Sequence, residues 1–289
     1  MFAPDILAAA TINGLMSGAV YALIAVGLTL VYGVLHIINF AHGAILSAAM
    51  FGAYMAFQAG VDPYVAMAPM AIVFFALGYG LQRLVIGPAS HGEDSNALLI
   101  TLGLSIVIEN LLLAIFSSDT RSIETAYGFD TIDLGFTFLA LPRVVAFGVS
   151  CIFAAALWLL LARTDIGKAI RAVAKEKLGA SLAGIDVGHV YAVTFGLGAA
   201  CVAVAACLLL PTYYVHPRVG EAYVLIAFTV VVLGGMGSIP GAIAGGLFVG
   251  VVESLSGLFF GESLGQLGVF IVFIAVLLVR PTGLFGAKA

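Results

Sequence analysis

The chain alternates long stretches free of Asp, Glu, Lys and Arg with short charged connections. No such residue lies between Asp5 and Asp62, and the same holds for 63–82, 144–162, 187–217, 222–252 and 263–279. A membrane-spanning helix needs roughly 20 predominantly apolar residues. Several of these runs are that long, and three have room for more than one crossing. The pattern predicts helices near 7–34, 42–59, 64–86, 96–117, 142–162, 188–210, 222–235, 240–258 and 264–280. The pair 222–235 and 240–258 reads either as two short crossings or as a broken, re-entrant helix. The expected fold is all-α: a polytopic transmembrane helix bundle of about 8–9 spans, forming a single domain over residues 1–289.

Composition narrows the class. Of the 289 residues 63% are hydrophobic and 9% charged, whereas a soluble domain is about a quarter charged. A soluble chain this apolar would expose large aggregating patches. The 35 glycines suit spanning helices, where small residues let backbones approach closely. The N-terminus carries Asp5 and no Lys or Arg before its first apolar run, so it lacks the basic region of a signal peptide and is expected to be retained. Cys151, Cys201 and Cys207 sit in apolar stretches with neither metal-ligand nor disulfide spacing and read as packing residues.

Orientation follows the placement of Lys and Arg. Loop 163–187 carries Arg163, Lys168, Arg171, Lys175 and Lys177 and is expected in the cytoplasm. Loop 118–141, with Asp119, Glu124, Asp130 and Asp133 against Arg121, is expected outside. Counting back places the N-terminus outside; counting forward places Arg280 and Lys288 inside, with an odd number of crossings.

Two stretches resemble each other. Tyr21-Ala22-Leu23-Ile24-Ala25 precedes Gly33 as Tyr223-Val224-Leu225-Ile226-Ala227 precedes Gly235. Gly43-Ala44-Ile45 and Gly241-Ala242-Ile243 follow, then Gly52 and Gly250. This is either an internal repeat, a common origin of transporter halves, or chance likeness in Ala/Gly/Ile-rich sequence.

Three segments carry candidate chemistry. His36-Ile37-Ile38-Asn39-Phe40-Ala41-His42-Gly43 places two His and one Asn between apolar helices. It reads as an unwound stretch beside a translocation path, with Asn39 and His42 offering hydrogen bonds. It reads equally as a tight interfacial turn in which Asn39 caps the next helix. Metal binding by His36 and His42 lacks further ligands. Gly234-Gly235-Met236-Gly237-Ser238-Ile239-Pro240-Gly241 must break a helix. It lacks the Lys-Ser/Thr ending of a phosphate loop, so ATP would be hydrolysed elsewhere. Beyond it Gly241/Gly245 and Gly246/Gly250 are small-xxx-small pairs. In the basic loop, Ile166, Ile170 and Val173 share one helical face and Lys168, Arg171 and Lys175 another; Leu178, Leu182 and Ile185 repeat the spacing. An amphipathic helix and a second short helix are implied, lying on anionic lipid or docking in a partner's groove. Glu109, beside Asn110, and Glu253 fall inside spans, where a carboxylate faces a bundle interior or wet cavity. Either is a proton site or a hydrogen-bonded strut; for Glu253 the structural role is favoured.

At these residues the chain resembles the LivH-type permeases of the branched-chain amino-acid class of ABC importers. The likeness covers nearly the whole chain and rests on Tyr21–Ala25 through Tyr32-Gly33, Ile38–Gly43, Thr101-Leu102-Gly103, Gly167 with Arg171-Ala172, Ala180 with Gly184-Ile185, and Ala227-Phe228 through Gly241. The resemblance implies a bacterial inner-membrane permease working with a second, LivM-like permease, two cytoplasmic ATP-binding subunits and a periplasmic substrate-binding protein. The chain itself would hold no cofactor, ATP and Mg residing on the ATPases, and it would bind neither metal nor nucleic acid. It would be no enzyme. The substrate pathway implied comprises Tyr21, Asn39, His42, Thr101, Glu109, Gly235, Gly237 and Ser238. The ATPase-coupling element comprises Gly167, Arg171, Ala172, Ala180, Gly184 and Ile185. Relatives carry branched-chain or other amino acids, urea and short amides, or aromatic acids. The family often has an acidic residue directly after the His-Gly pair, where this chain has Ala44, so substrate identity is weakly constrained. The expected mechanism is alternating access. The rival is a proton-coupled secondary transporter using Glu109 or Glu253. An intramembrane enzyme is disfavoured because no nucleophile–base or metal constellation converges.

Overall fold

The computed structural model describes residues 4–90, 94–133, 135, 137–261, 264–280 and 283; Lys288 lies outside them. The nine predicted apolar helices are all present: α1 (Pro4–Leu35), α2 (Ala41–Gln58), α3 (Pro63–Gly80), α5 (Asp94–Phe116), α6 (Leu141–Arg163), α9 (Val187–Leu209), α10 (Val219–Gly234), α11 (Ile239–Phe260) and α12 (Gly265–Val279). Three short helices add to them, α4 (Gly87–Ser90), α7 (Asp165–Lys175) and α8 (Lys177–Leu182). Among the described residues six helices are long and apolar enough to cross a membrane, while α10 and α12 are shorter apolar helices.

Helix starts follow local chemistry. Side-chain oxygens of Asp62, Thr164, Asp186 and Ser238 accept from the backbone N–H of Tyr64, Gly167, His189 and Gly241 at 2.8–3.2 Å, satisfying donors that a first turn leaves free. Pro63, Pro142 and Pro240 occupy first-turn positions, where proline's missing N–H costs nothing. One predicted helix differs. The segment expected over 64–86 is α-helical only to Gly80; Leu81–Ile86 winds as a π-helix before α4. The acidic loop also contains a small antiparallel hairpin, β1 (Thr131–Asp133) with β2 (Phe138–Ala140), pairing Thr131 with Ala140.

α1 and α9 form the buried centre, and the other helices wrap them. Glycine decides how closely α1 meets its neighbours. A Cβ added at Gly14 would lie 2.7 Å from the Gly250 carbonyl, and one at Gly18 would lie 2.7 Å from that of Gly246. The small-xxx-small pair Gly246/Gly250 thus meets a second pair, Gly14/Gly18, on antiparallel α1, so the backbones pack directly. A Cβ at Gly27 would likewise come within 2.9 Å of Gly198 on α9.

These contacts set chain direction. The starts of α1 and α6 lie with the end of α11, since Arg143 Nη1 donates to Asn13 Oδ1 at 3.3 Å and Ser254 Oγ to the Ala10 carbonyl at 2.7 Å. The loops after α5 and α9 join the same end through a bridge between Arg121 and Val215. At the opposite end α7 and α8 form an elbow beside the end of α1 and the 235–238 turn. α10 and α11 are two separate helices folded back on each other through that turn, and φ of 92° at Gly235 and 84° at Gly237 requires glycine there.

Candidate functional site

The residues 36–40 leave α1 at the elbow end and turn back into the bundle. α2 therefore begins beside the middle of α1, with the His42 imidazole Nε2 3.0 Å from the Ile24 carbonyl. The unwound stretch is real, but its polar side chains are used internally. His42 is buried, and Asn39 Oδ1 accepts from Ala41 N at 3.1 Å, capping α2 from two residues away. Thr101 is also buried. Its hydroxyl donates to the Leu98 carbonyl at 2.9 Å and lies 3.4 Å from Phe40 N, clamping the turn to α5. Asn39, His42 and Thr101 are thus one assembly that holds non-helical backbone at depth.

Glu109 lies on the other side of this turn. Ser105 Oγ donates to its carboxylate at 3.0 Å, and the pair faces a cleft of about 310 Å³ with Phe40, Gly43, Ala44 and Glu221. Among the described residues Glu109 has no cation within ion-pair distance. Around it α5 displays an otherwise apolar face, with Leu102, Ile106 and Val107 exposed.

Gly237 and Ser238 gather at the elbow end. They share a cleft of about 290 Å³ with Thr29, Gly33, Trp158 and Arg171. Predicted pathway and coupling residues therefore meet in one place. Gly33 packs directly on the Gly237 backbone, where a Cβ would lie 3.2 Å from the Gly237 Cα. Gly235 forms the preceding turn residue.

The elbow itself hangs from α6. The Arg171 guanidinium donates to the Leu161 carbonyl, one of those left unpaired at a helix C-terminus. A Cβ at Gly167 would collide with the Leu160 and Leu161 carbonyls, so only glycine lets α7 fold back this tightly. Ile170 and Val173 are buried, as the periodicity predicts, whereas Ile166 is half exposed. The Lys168 ammonium donates to Asp165 at 2.9 Å, holding that carboxyl below its ordinary pKa. α8 ends on Gly184 at φ 86°, with Ile185 N donating to the Ala180 carbonyl at 3.1 Å, a Schellman cap. Ala180 is buried and Ala172 half-buried, while Leu178 and Leu182 are 68% and 82% exposed.

Tyr21 stands apart from the other predicted pathway residues, at the middle of α1 one turn before Ile24 and on a face lined toward the helix start by Asn13 and Ser17. Its ring lies 6.2 Å from that of Tyr223, so equivalent positions of the two similar stretches meet. Tyr213 closes on Tyr223 edge-on at 6.3 Å. Tyr21 and Glu253 face the same cavity. Together they line a polar chamber of about 510 Å³ that also takes in Arg143 and Arg218. The sequence signals were an acid in an apolar run and a repeated Tyr; Tyr213, Arg143 and Arg218 carried no such mark.

Comparison with known proteins gives a consistent picture. Residues 10–279 match the family described as branched-chain amino acid transport system / permease component. The chain is 37% identical to the high-affinity branched-chain amino acid transport system permease protein BraD of Pseudomonas aeruginosa, over 95% of this chain and 94% of that one. It is 35% identical to the corresponding permease protein LivH of Escherichia coli, with the same coverage. Among solved structures PsaBC from Streptococcus pneumoniae in complex with Fab superimposes with a TM-score of 0.50 at 16% identity, covering 93% of this chain and 91% of that one, a likeness of fold alone. The chain is a polytopic membrane protein of the branched-chain amino acid transport system permease family.

Proposed function

We propose that this permease is one of two membrane-spanning subunits of an ATP-driven importer in the bacterial inner membrane. It moves a small solute, a branched-chain or other amino acid or a related amide, urea or aromatic acid, from periplasm to cytoplasm. The elbow is the observation that carries the reading. α7 and α8 are clamped to α6 by Arg171 and Gly167, yet present Leu178 and Leu182 unburied among lysines. Such a rigid platform with apolar knobs fits a groove on a cytoplasmic ATPase. Each of two such ATPases, holding ATP and Mg, grips one permease. The elbow end is then cytoplasmic and the α1 start periplasmic, in keeping with the five cations of loop 163–187.

The second, LivM-like permease covers the face of α5 around Glu109 and Asn110. A carboxylate and a carboxamide on a spanning surface would otherwise face lipid, which is costly. The path then runs between the two permeases along the Glu109 cleft, and a periplasmic binding protein loads it. The test is reconstitution of the chain with its partner permease, ATPases and binding protein in liposomes. ATP-dependent uptake of L-leucine, unaffected by a proton ionophore, is the expected result. Uptake driven by a proton gradient without ATP would establish the secondary-transporter alternative instead.

A further inference from the structure

The proposed path along the Glu109 cleft leaves the chamber beside the first half of α1 without a role. That chamber lies within one chain, between α1, α10 and α11, with Arg143 of α6 at its rim. Its chemistry is unusual for a bundle this apolar. Glu253 ends a stretch, 222–252, of 31 residues without a charge. No cation lies within ion-pair distance of its carboxylate among the described residues; Arg218 pairs instead with Glu221, at 3.8 Å.

Three tyrosines line the chamber with that carboxylate. Tyr21 lines the chamber together with Glu253. Tyr223 is more than nine-tenths buried, and its hydroxyl has no hydrogen-bond partner among the described residues although it lines the chamber. The Tyr21 and Tyr213 rings lie 6.2 and 6.3 Å from that of Tyr223, and an ammonium group bound in a chamber so lined gains from ring faces as well as from the carboxylate. At the rim, Arg143 gives only one long bond to Asn13, and the Arg218–Glu221 pair is exposed and weak. Both guanidinium groups keep donors for a carboxylate. A volume of about 510 Å³ lies within the range of small-molecule sites.

We propose that this chamber is a binding site for a small zwitterionic solute. Glu253, Tyr21, Tyr213 and Tyr223 receive its ammonium group, and Arg143 and Arg218 receive its carboxylate. The proposal rests on the permease reading only for its use, as a station that substrate occupies on the periplasmic side of the transport path.

The test uses the complete, nucleotide-free transporter without its binding protein, purified in detergent. L-leucine and 3-methylbutylamine should each raise its melting temperature; 4-methylpentanoate, which lacks the ammonium, should do so least. Glu253→Gln should weaken the amine ligands about tenfold and Glu253→Asp should restore part of the loss. Tyr223→Phe removes a hydroxyl that supports no fold contact, so it should leave the unliganded melting temperature unchanged while reducing the leucine shift. That variant decides the matter if Glu253→Gln fails to fold. No shift with either amine in the wild-type assembly, or an undiminished shift in Tyr223→Phe and Glu253→Gln, overturns the proposal. Failure of ATP-driven uptake in liposomes would instead remove the permease reading and leave the binding result standing.

Discussion

Replacing Gly18 by alanine tests whether backbone contact between α1 and α11 holds the bundle together. The added Cβ would lie 2.7 Å from the Gly246 carbonyl oxygen and 2.9 Å from the Leu247 Cα. Ordinary contact begins at 3.4 Å, so the helices must separate locally by about 0.7 Å. Both obstructing atoms are backbone, and neither can rotate aside. Overpacking of this kind costs about 1–3 kcal/mol. Alanine regains up to about 1 kcal/mol over glycine through helix propensity, so a net loss of about 1–2 kcal/mol is expected. Gly148 supplies the control. It lies in α6 with nothing within 4 Å of an added Cβ, so Gly148→Ala shows the propensity gain alone. Trp158 is the only tryptophan, and its fluorescence during denaturant titration in micelles reports unfolding. If Gly18→Ala unfolds at the same denaturant concentration as Gly148→Ala, close approach of these helices does not stabilise the fold and the reasoning fails.

Arg171→Glu removes the clamp between α7 and α6; membrane insertion should persist while ATP-driven uptake is lost, and full uptake would refute the coupling role. Leu182→Arg alters a residue that touches little of its own chain, so co-purification of the ATPases should fall with the melting temperature unchanged. Gly237→Leu places a side chain against Gly33 at a positive φ and should abolish uptake in the liposome assay. Ser238→Ala loses the bond to Gly241 N and should destabilise by about 1 kcal/mol in the Trp158 titration.

Much of this architecture was readable in advance because a bilayer imposes a single length and polarity on every span. The apolar pattern set the bounds of α1, α6 and α9 to within about three residues, and glycine and proline marked the 235–238 turn. The elbow showed through its separated apolar and basic faces. Other features had no local signature. Residues 81–86 favour α-helix by composition, and nothing in their sequence marks the π-winding. The recessed start of α2 could not be told from an interfacial turn, because depth depends on which carbonyl His42 finds. The chamber was half visible: Glu253 and Tyr21 stood out, but it took the fold to bring Tyr213 and the two arginines from elsewhere. Asn39 and His42 are each bonded within the bundle, to Ala41 N and the Ile24 carbonyl, so the turn they hold is shown by the structure while their part in a path stays with the proposal.

α6 links two features that otherwise stand far apart. It is one unbroken helix of 23 residues, about 34 Å long, with Arg171 fastened near its final turn and Arg143 in its first. A helix this short does not stretch. Under the proposed coupling, motion imposed on the platform at one surface would arrive at the other as displacement of the Arg143 guanidinium at the rim of the chamber, like the far end of a pushrod. A nucleotide-driven stroke below would then reach a solute held above without any separate relay.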